Sequence, residues 1–156
     1  MPIWFDKSLT IDKLKHFGKD FMPGYLGMEW VEVGDDFIKM SMPVTNKTKQ
    51  PFGLLHGGAS CALAETVGSV ASALVLDLSK NFCVGLEINA NHIKGMREGI
   101  VIATATPFHL GKTTHVWDIK IHDENKNLVC ISRLTTAIIP NDKIQFSIVE
   151  PLPGSL

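Results

Sequence analysis

Gln50-Pro51-Phe52-Gly53-Leu54-Leu55-His56-Gly57-Gly58-Ala59-Ser60-Cys61-Ala62-Leu63-Ala64-Glu65-Thr66-Val67-Gly68-Ser69 is the stretch from which the fold is read. A polar loop, Asn46 to Gly53, gives way to a run that is apolar on nearly every face. The run predicts a helix from about Gly57 to Leu76, buried on most sides. Leu63, Val67, Val70 and Leu74 fall on one face and read as core. Gly58, Cys61, Ala62, Gly68, Ser69 and Ser72 lie on or near the face of Glu65, by i+3 and i+4 spacing. The apolar stretch from Leu54 to Leu76 is long enough to span a bilayer. Glu65 near its middle and the many small residues favour the core helix of a soluble protein instead.

Working outward, the segments upstream of this helix are short. Ser8 or Thr10 could cap a first helix carrying Ile11, Leu14 and Phe17, with Gly18 and then Pro23-Gly24 ending it. Glu29 to Val33 reads as a strand, Gly34-Asp35-Asp36 as a turn, and Phe37 to Val44 as a second strand. In that strand Ile38, Met40, Met42 and Val44 alternate with Lys39 and Ser41. Downstream come four segments of strand character, Cys83–Ile93, Gly99–Leu110, Thr114–His122 and Leu128–Ile139. The third sets Trp117, Ile119 and Ile121 against Asp118, Lys120 and His122. A helix, two strands, one long helix and four strands argue for an α+β domain, an antiparallel sheet wrapped around a central helix. The domain is expected over residues 1–140. Residues 141–156 form a C-terminal tail with a weak strand pattern at Ile144, Phe146 and Ile148.

Composition narrows the classes of function. The 156 residues suit one domain, and 45% apolar with 20% charged residues is ordinary for a globular chain. A net charge of −1 implies no general attraction to nucleic acid or to an anionic membrane. The N-terminus lacks a basic start, a long apolar core and a small-residue cleavage site, so a cytoplasmic location is expected. Cys61, Cys83 and Cys130 are odd in number, have no CxxC pairing and read as buried thiols. His16, His56, His92, His109, His115 and His122 form no metal-ligand spacing, so neither a metal nor another cofactor is expected.

Glu65 is the residue that needs explaining. It has no Lys or Arg within eight residues on either side. A carboxylate on a buried helix is costly unless it is paired or opens to a cleft, and burial would raise its pKa toward that of a useful base. The alternative is that it reaches solvent at one edge. Gly57-Gly58 opens the helix, where free N–H groups and the positive helix end favour an oxyanion. Such a donor can contribute about 10²–10³ in rate. Eight residues separate Gly57 from Glu65, roughly 12 Å of helix at 1.5 Å per residue, so one carbonyl cannot touch both groups of one chain. If both act on it, two antiparallel helices of a dimer must supply one each.

These residues resemble a family. Gln50 through Ser60, with Glu65 and Ser69, strongly resembles the hot-dog-fold acyl-CoA thioesterases. So do Val84-Gly85-Leu86-Glu87-Ile88-Asn89-Ala90-Asn91-His92 and Arg133-Leu134-Thr135-Thr136-Ala137-Ile138. The nearest branch is the bacterial aryl-CoA one, with hydroxybenzoyl-CoA and dihydroxynaphthoyl-CoA thioesterases and the proofreading thioesterase of enterobactin synthesis. Among these, the dihydroxynaphthoyl-CoA enzymes of menaquinone synthesis look nearest.

The resemblance implies an acyl-CoA substrate and a homotetramer built as a dimer of dimers. Glu65 becomes the nucleophile or the general base, and the choice stays open. Gly57 N–H polarises the thioester carbonyl. Gln50 and His56 position the thioester or water, and Ser69 supports the water or the acyl group. Gly85, the run His92, Ile93, Lys94, Gly95, and the run His109, Leu110, Gly111, Lys112, Thr113, Thr114 line the CoA site. Two other readings remain: a hydratase or dehydratase of the same fold, and a non-catalytic acyl-CoA-binding module.

Overall fold

Alternation of buried and less buried residues builds the centre of the sheet. The computed structural model describes residues 1–143 and 149–153. In chain order the elements are α1 (Ile11–Leu14), α2 (Met22–Tyr25), β1 (Glu29–Val33), β2 (Ile38–Pro43), α3 (Gly57–Val75), β3 (Asn81–His92), β4 (Ile100–Leu110), β5 (Thr114–Asp123) and β6 (Leu128–Pro140). A 3-10 turn, Asn141–Lys143, follows β6. The six strands form one antiparallel sheet in the order β1-β2-β4-β5-β6-β3. The connection through α3 carries the chain from β2 to the far edge, which leaves β1 and β3 as the two edge strands.

One face of the sheet buries Ile38, Met40 and Met42 from β2, Val101, Ala103 and Ala105 from β4, Trp117, Ile119 and Ile121 from β5, and Leu134 from β6. Against it lies α3, with Leu63, Ala64, Val67, Ala71 and Leu74 buried. The helix packs on β2, β3, β4, β5 and β6, so the sheet wraps it as the hot-dog fold requires. By length and composition α3 could cross a membrane, but here it is the core helix of the sheet.

Two residues expected on the Glu65 face turn the other way. Gly68 packs onto the sheet, where a Cβ would meet Leu134 Cδ2 at 2.7 Å and Ile119 Cδ1 at 2.9 Å. Ser72 is fully buried beneath it. Its hydroxyl accepts a hydrogen bond from Trp117 Nε1 (2.6 Å) and pairs with the Thr136 hydroxyl (2.9 Å). All three residues are inaccessible to water. Replacing Ser72 by Ala strands a buried indole N–H and a buried hydroxyl, so unfolding stability should fall by about 1–3 kcal/mol. Urea titration would read this as a lower midpoint with an unchanged slope.

All three tryptophans are buried and have their indole N–H bonded. Trp4 donates to the Gly34 carbonyl (2.7 Å) and Trp30 to that of Phe17 (3.1 Å). Phe5 N–H donates to the Leu74 carbonyl, which fastens the N-terminal segment over the end of α3.

The N-terminal third differs from the expected pattern. The first helix is a single turn that stops before Phe17, and Thr10 at its N-cap makes no side-chain cap bond. Ser8 Oγ is engaged by Asp6 instead. Pro23-Gly24, expected to terminate helix, lies inside α2. Proline fits a first turn, where its missing N–H has no partner to lose. Gly24 allows the chain to touch itself, since a Cβ there would lie 1.8 Å from the Lys19 carbonyl oxygen. Ile144, Phe146 and Ile148 lie outside the described residues.

Candidate active site

Helix α3 begins with an unused donor. His56 stands at the N-cap, and its Nδ1 accepts the Gly58 N–H at 2.8 Å. Its carbonyl takes the N–H groups of Ala59 and Ser60. In the neutral ring this bond places the proton on Nε2. Among the described residues Gly57 N–H has no acceptor, so it points a donor and the helix dipole at whatever lies before α3. A Cβ on Gly57 would sit 2.7 Å from His92 Nε2, so glycine is what lets the His92 ring cover this turn. Gln50, Leu54, Ser60, His92, Ile93 and Gly95 line the hollow around it. Gln50 spends its side-chain oxygen on the Phe52 N–H (2.6 Å) and keeps its NH₂ for another acceptor.

Two turns further along, Glu65 is exposed, one of the alternatives the sequence left open. Among the described residues no hydrogen bond or ion pair holds its carboxylate. It faces Gly85 on β3, where a Cβ would come within 2.8 Å of Glu65 Oε1. Gly58, Cys61, Ala62, Ser69 and Val70 form an open groove with it, which Met22 also lines. The cysteines divide accordingly. Cys83 and Cys130 are buried and Cys61 is half-buried in this groove. Burial pushes the Cys83 thiol up to about 11, so it is a neutral wall group, and its Sγ contacts the Ser69 carbonyl at 3.7 Å.

The residues expected to line one CoA site fall into separate places. Gly85 stands beside Glu65. His92 to Gly95 stand beside Gly57. His109 to Thr114 form the end of β4 and the turn into β5, where Thr113 accepts the Ile138 N–H. His92 pairs with Cys130 and Thr114 with Ala137 on β6. Seven residues of strand, roughly 23 Å, therefore separate the two loops within one chain. Lys94 is also partly engaged, since its ammonium donates to Asp123 Oδ2 at 2.7 Å. That charge, with Asn127, holds the Asp123 carboxyl far below the usual carboxylate range. Two ammonium N–H groups remain. The signal for this pairing, Asp123 at the head of a polar turn, was visible in the sequence, but its partner 29 residues upstream was not.

Comparison with known proteins identifies the family. Residues 52–130 match the model of the thioesterase superfamily. That segment includes the whole of α3 and, Gln50 apart, the residues that line the hollow before it. The chain belongs to that family. This thioesterase is 49% identical over 137 residues to the 1,4-dihydroxy-2-naphthoyl-CoA hydrolase of Escherichia coli K12, covering 88% of this chain and 99% of that one. The crystal structure of a mutant thioesterase from Pseudomonas aeruginosa superposes with a TM-score of 0.85 at 46% identity, over 88% of this chain and 99% of that one. A Staphylococcus aureus thioesterase with a glutamine replaced by alanine superposes at a TM-score of 0.73 and 48% identity, over 76% of this chain and 98% of that one. The same protein carries, in a second structure, alanine for a glutamate at the spacing that separates Gln50 from Glu65 here.

The thioesterase is therefore a thioester hydrolase with a hot-dog fold and an acyl-CoA substrate. Its α3 helix presents a backbone N–H donor at Gly57 and a carboxylate at Glu65, roughly 12 Å apart along the axis at 1.5 Å per residue.

Proposed function

We propose that this thioesterase hydrolyses aryl-CoA thioesters, 1,4-dihydroxy-2-naphthoyl-CoA first among them, as a cytoplasmic enzyme of menaquinone synthesis. The observation that carries the mechanism is a Gly57 N–H and a Glu65 carboxylate on one helix, both without a partner among the described residues, with β3 as an edge strand beside them. The E. coli relative supports the acyl group. The folded unit is residues 1–140, with residues 141–156 appended.

In this reading two chains pair along their β3 edges about a two-fold axis near the strand's middle. The His92 end of one β3 then lies beside the Phe82 end of the other. This would bring the His109–Thr114 turn of one subunit toward the His92–Gly95 loop of its partner, and so reunite the two halves of the CoA site. Leu86 is the extra residue of a bulge in β3 and is 61% exposed, an apolar side chain on an unpaired edge. Pairs of such dimers make the tetramer.

The thioester oxygen accepts from Gly57 N–H of one subunit, while Glu65 of the partner subunit acts from the other side. As a base, Glu65 takes a proton from water, the water oxygen bonds to the carbonyl carbon, and Gly57 N–H holds the resulting oxyanion. The C–S bond then breaks, and the CoA sulfur leaves with the proton from Glu65. As a nucleophile, Glu65 bonds to that carbon itself, the C–S bond breaks, the CoA thiolate leaves and takes a proton from solvent, and water then cleaves the acyl-glutamate anhydride to free acid and the Glu65 carboxylate. Gln50 and His56 position the thioester or the water, and Ser69 supports the acyl end.

Release of free thiol from matched aryl- and alkyl-CoA thioesters tests the reading. Aryl substrates should lead in kcat/KM by at least about 10-fold. Equal rates would remove the aryl preference. CoA binding without thiol release would favour a binding module, and loss of an enoyl absorbance without thiol release a hydratase.

A further inference from the structure

Beyond the Glu65 groove lies a second hollow, one that no motif or spacing announces. It has a volume of about 330 Å³ and is lined by Phe17, Val70, Phe82, Cys83, Val149 and Leu152, with Ser69 and Glu150 as polar members. A volume of this size falls at the small end of small-molecule pockets. Ser69 and Val70 line both this hollow and the Glu65 groove, so the two adjoin at one turn of α3. From Glu65 to Ser69 is four residues, about 6 Å along the helix. A group whose carbonyl rests against Glu65 can thus extend an apolar end past Ser69 into the hollow.

The outer wall comes from the tail. Leu152 packs against Ala73, Cys83 and Ile138, where the tail meets the end of α3 and the β3–β6 pair. Glu150 fixes the segment from the other side, since its Oε2 accepts the Gly18 N–H at 3.0 Å. Gly18 is buried and has φ +79°, a left-handed conformation that suits glycine and turns this N–H toward the tail.

We propose that Val149 and Leu152 form the distal wall of the acyl pocket, with Glu150 as a positioning residue that clamps the wall to Gly18, and that this wall sets the size of acyl group accepted. The favoured substrate carries a bulky, uncharged acyl group. A terminal carboxylate is disfavoured by the Glu150 charge and by the apolar lining. The inference rests on Glu65 as the residue that meets the thioester carbonyl.

The test compares kcat/KM for 2-naphthoyl-CoA with that for acetyl-CoA in the full-length protein. Leu152→Trp, which fills the hollow, should lower the naphthoyl-to-acetyl ratio by about 10-fold or more. Leu152→Ala should move the ratio the opposite way for acyl groups longer than naphthoyl. Glu150→Ala should raise KM for the bulky substrate more than it lowers kcat. Should Leu152→Trp fail to fold, as judged by its thermal transition, Val149→Trp at the rim of the hollow replaces it. An unchanged ratio, or a uniform loss across acyl sizes, overturns the wall. Glu65→Gln is measured alongside. If it retains thiol release, the carbonyl placement has failed rather than the wall.

Discussion

Glu65→Gln should abolish turnover and leave the fold intact. The substitution keeps the size of the side chain and removes the only atom pair able to take a proton or attack a carbonyl at this position. General-base or nucleophilic roles of this kind are worth about 10²–10⁴ in rate, and kcat should fall by that factor with KM for the CoA ester little changed. Stability should not follow, because Glu65 is exposed and holds no partner among the described residues. A melting temperature within error of the wild type, beside a collapsed kcat, would establish chemistry as the role. A variant with near-full thiol release would strip Glu65 of it. Trapping in the wild type further separates the mechanisms: an acyl-enzyme bond at position 65 can form only if the carboxylate is the nucleophile.

The second large effect is expected at Gly57. Proline there removes the free N–H while fitting the helix start, since the first helical position tolerates a missing donor and a φ near −65°. His56 already has an extended backbone (φ −70°, ψ 130°), as a residue before proline requires. The His92 ring must shift to admit the new ring, because even a Cβ would come within 2.7 Å of Nε2. The loss should be about 10²–10³ in kcat. Mixing this variant with Glu65→Gln distinguishes composite sites from single-chain ones. If each site draws Gly57 from one subunit and Glu65 from the other, a mixed dimer holds one intact site and one doubly defective site. Random reassociation of two dead proteins should then restore about a quarter of wild-type activity. Sites confined to one chain would restore none.

Much of this was legible in the sequence because it depended on periodicity. The alternation of Ile38, Met40 and Met42, and of Trp117, Ile119 and Ile121, fixes which face of each strand is core, and the structure buries all six. Helix α3 begins where the Gly57-Gly58 pair marks it and ends one residue short of the expected Leu76. What could not be read was the rotation of that helix against the sheet. Gly68, Ser69 and Ser72 look alike as small residues within one turn, yet Gly68 and Ser72 lock into the sheet while Ser69 opens to the groove. The difference comes from Ile119, Leu134, Trp117 and Thr136, which lie far away in sequence. The same holds for Lys94 and Asp123, and for Gly18 and Glu150, whose pairing is set by strand order rather than by spacing.

The placement of the three tryptophans has a practical consequence for optical work. Trp4, Trp30 and Trp117 are each shielded from water, so their emission should be blue-shifted in the native protein and move to the red together on denaturation. None of them lines the groove around Glu65 or the hollow before Gly57. A CoA ester entering those places should leave the indole signal nearly silent. Trp30 is the exception by proximity, since its indole is tethered to the backbone of Phe17, which borders the tail-walled hollow. The native chromophores thus monitor unfolding cleanly, and a change in emission on adding ligand would report on the hollow rather than on the scissile bond.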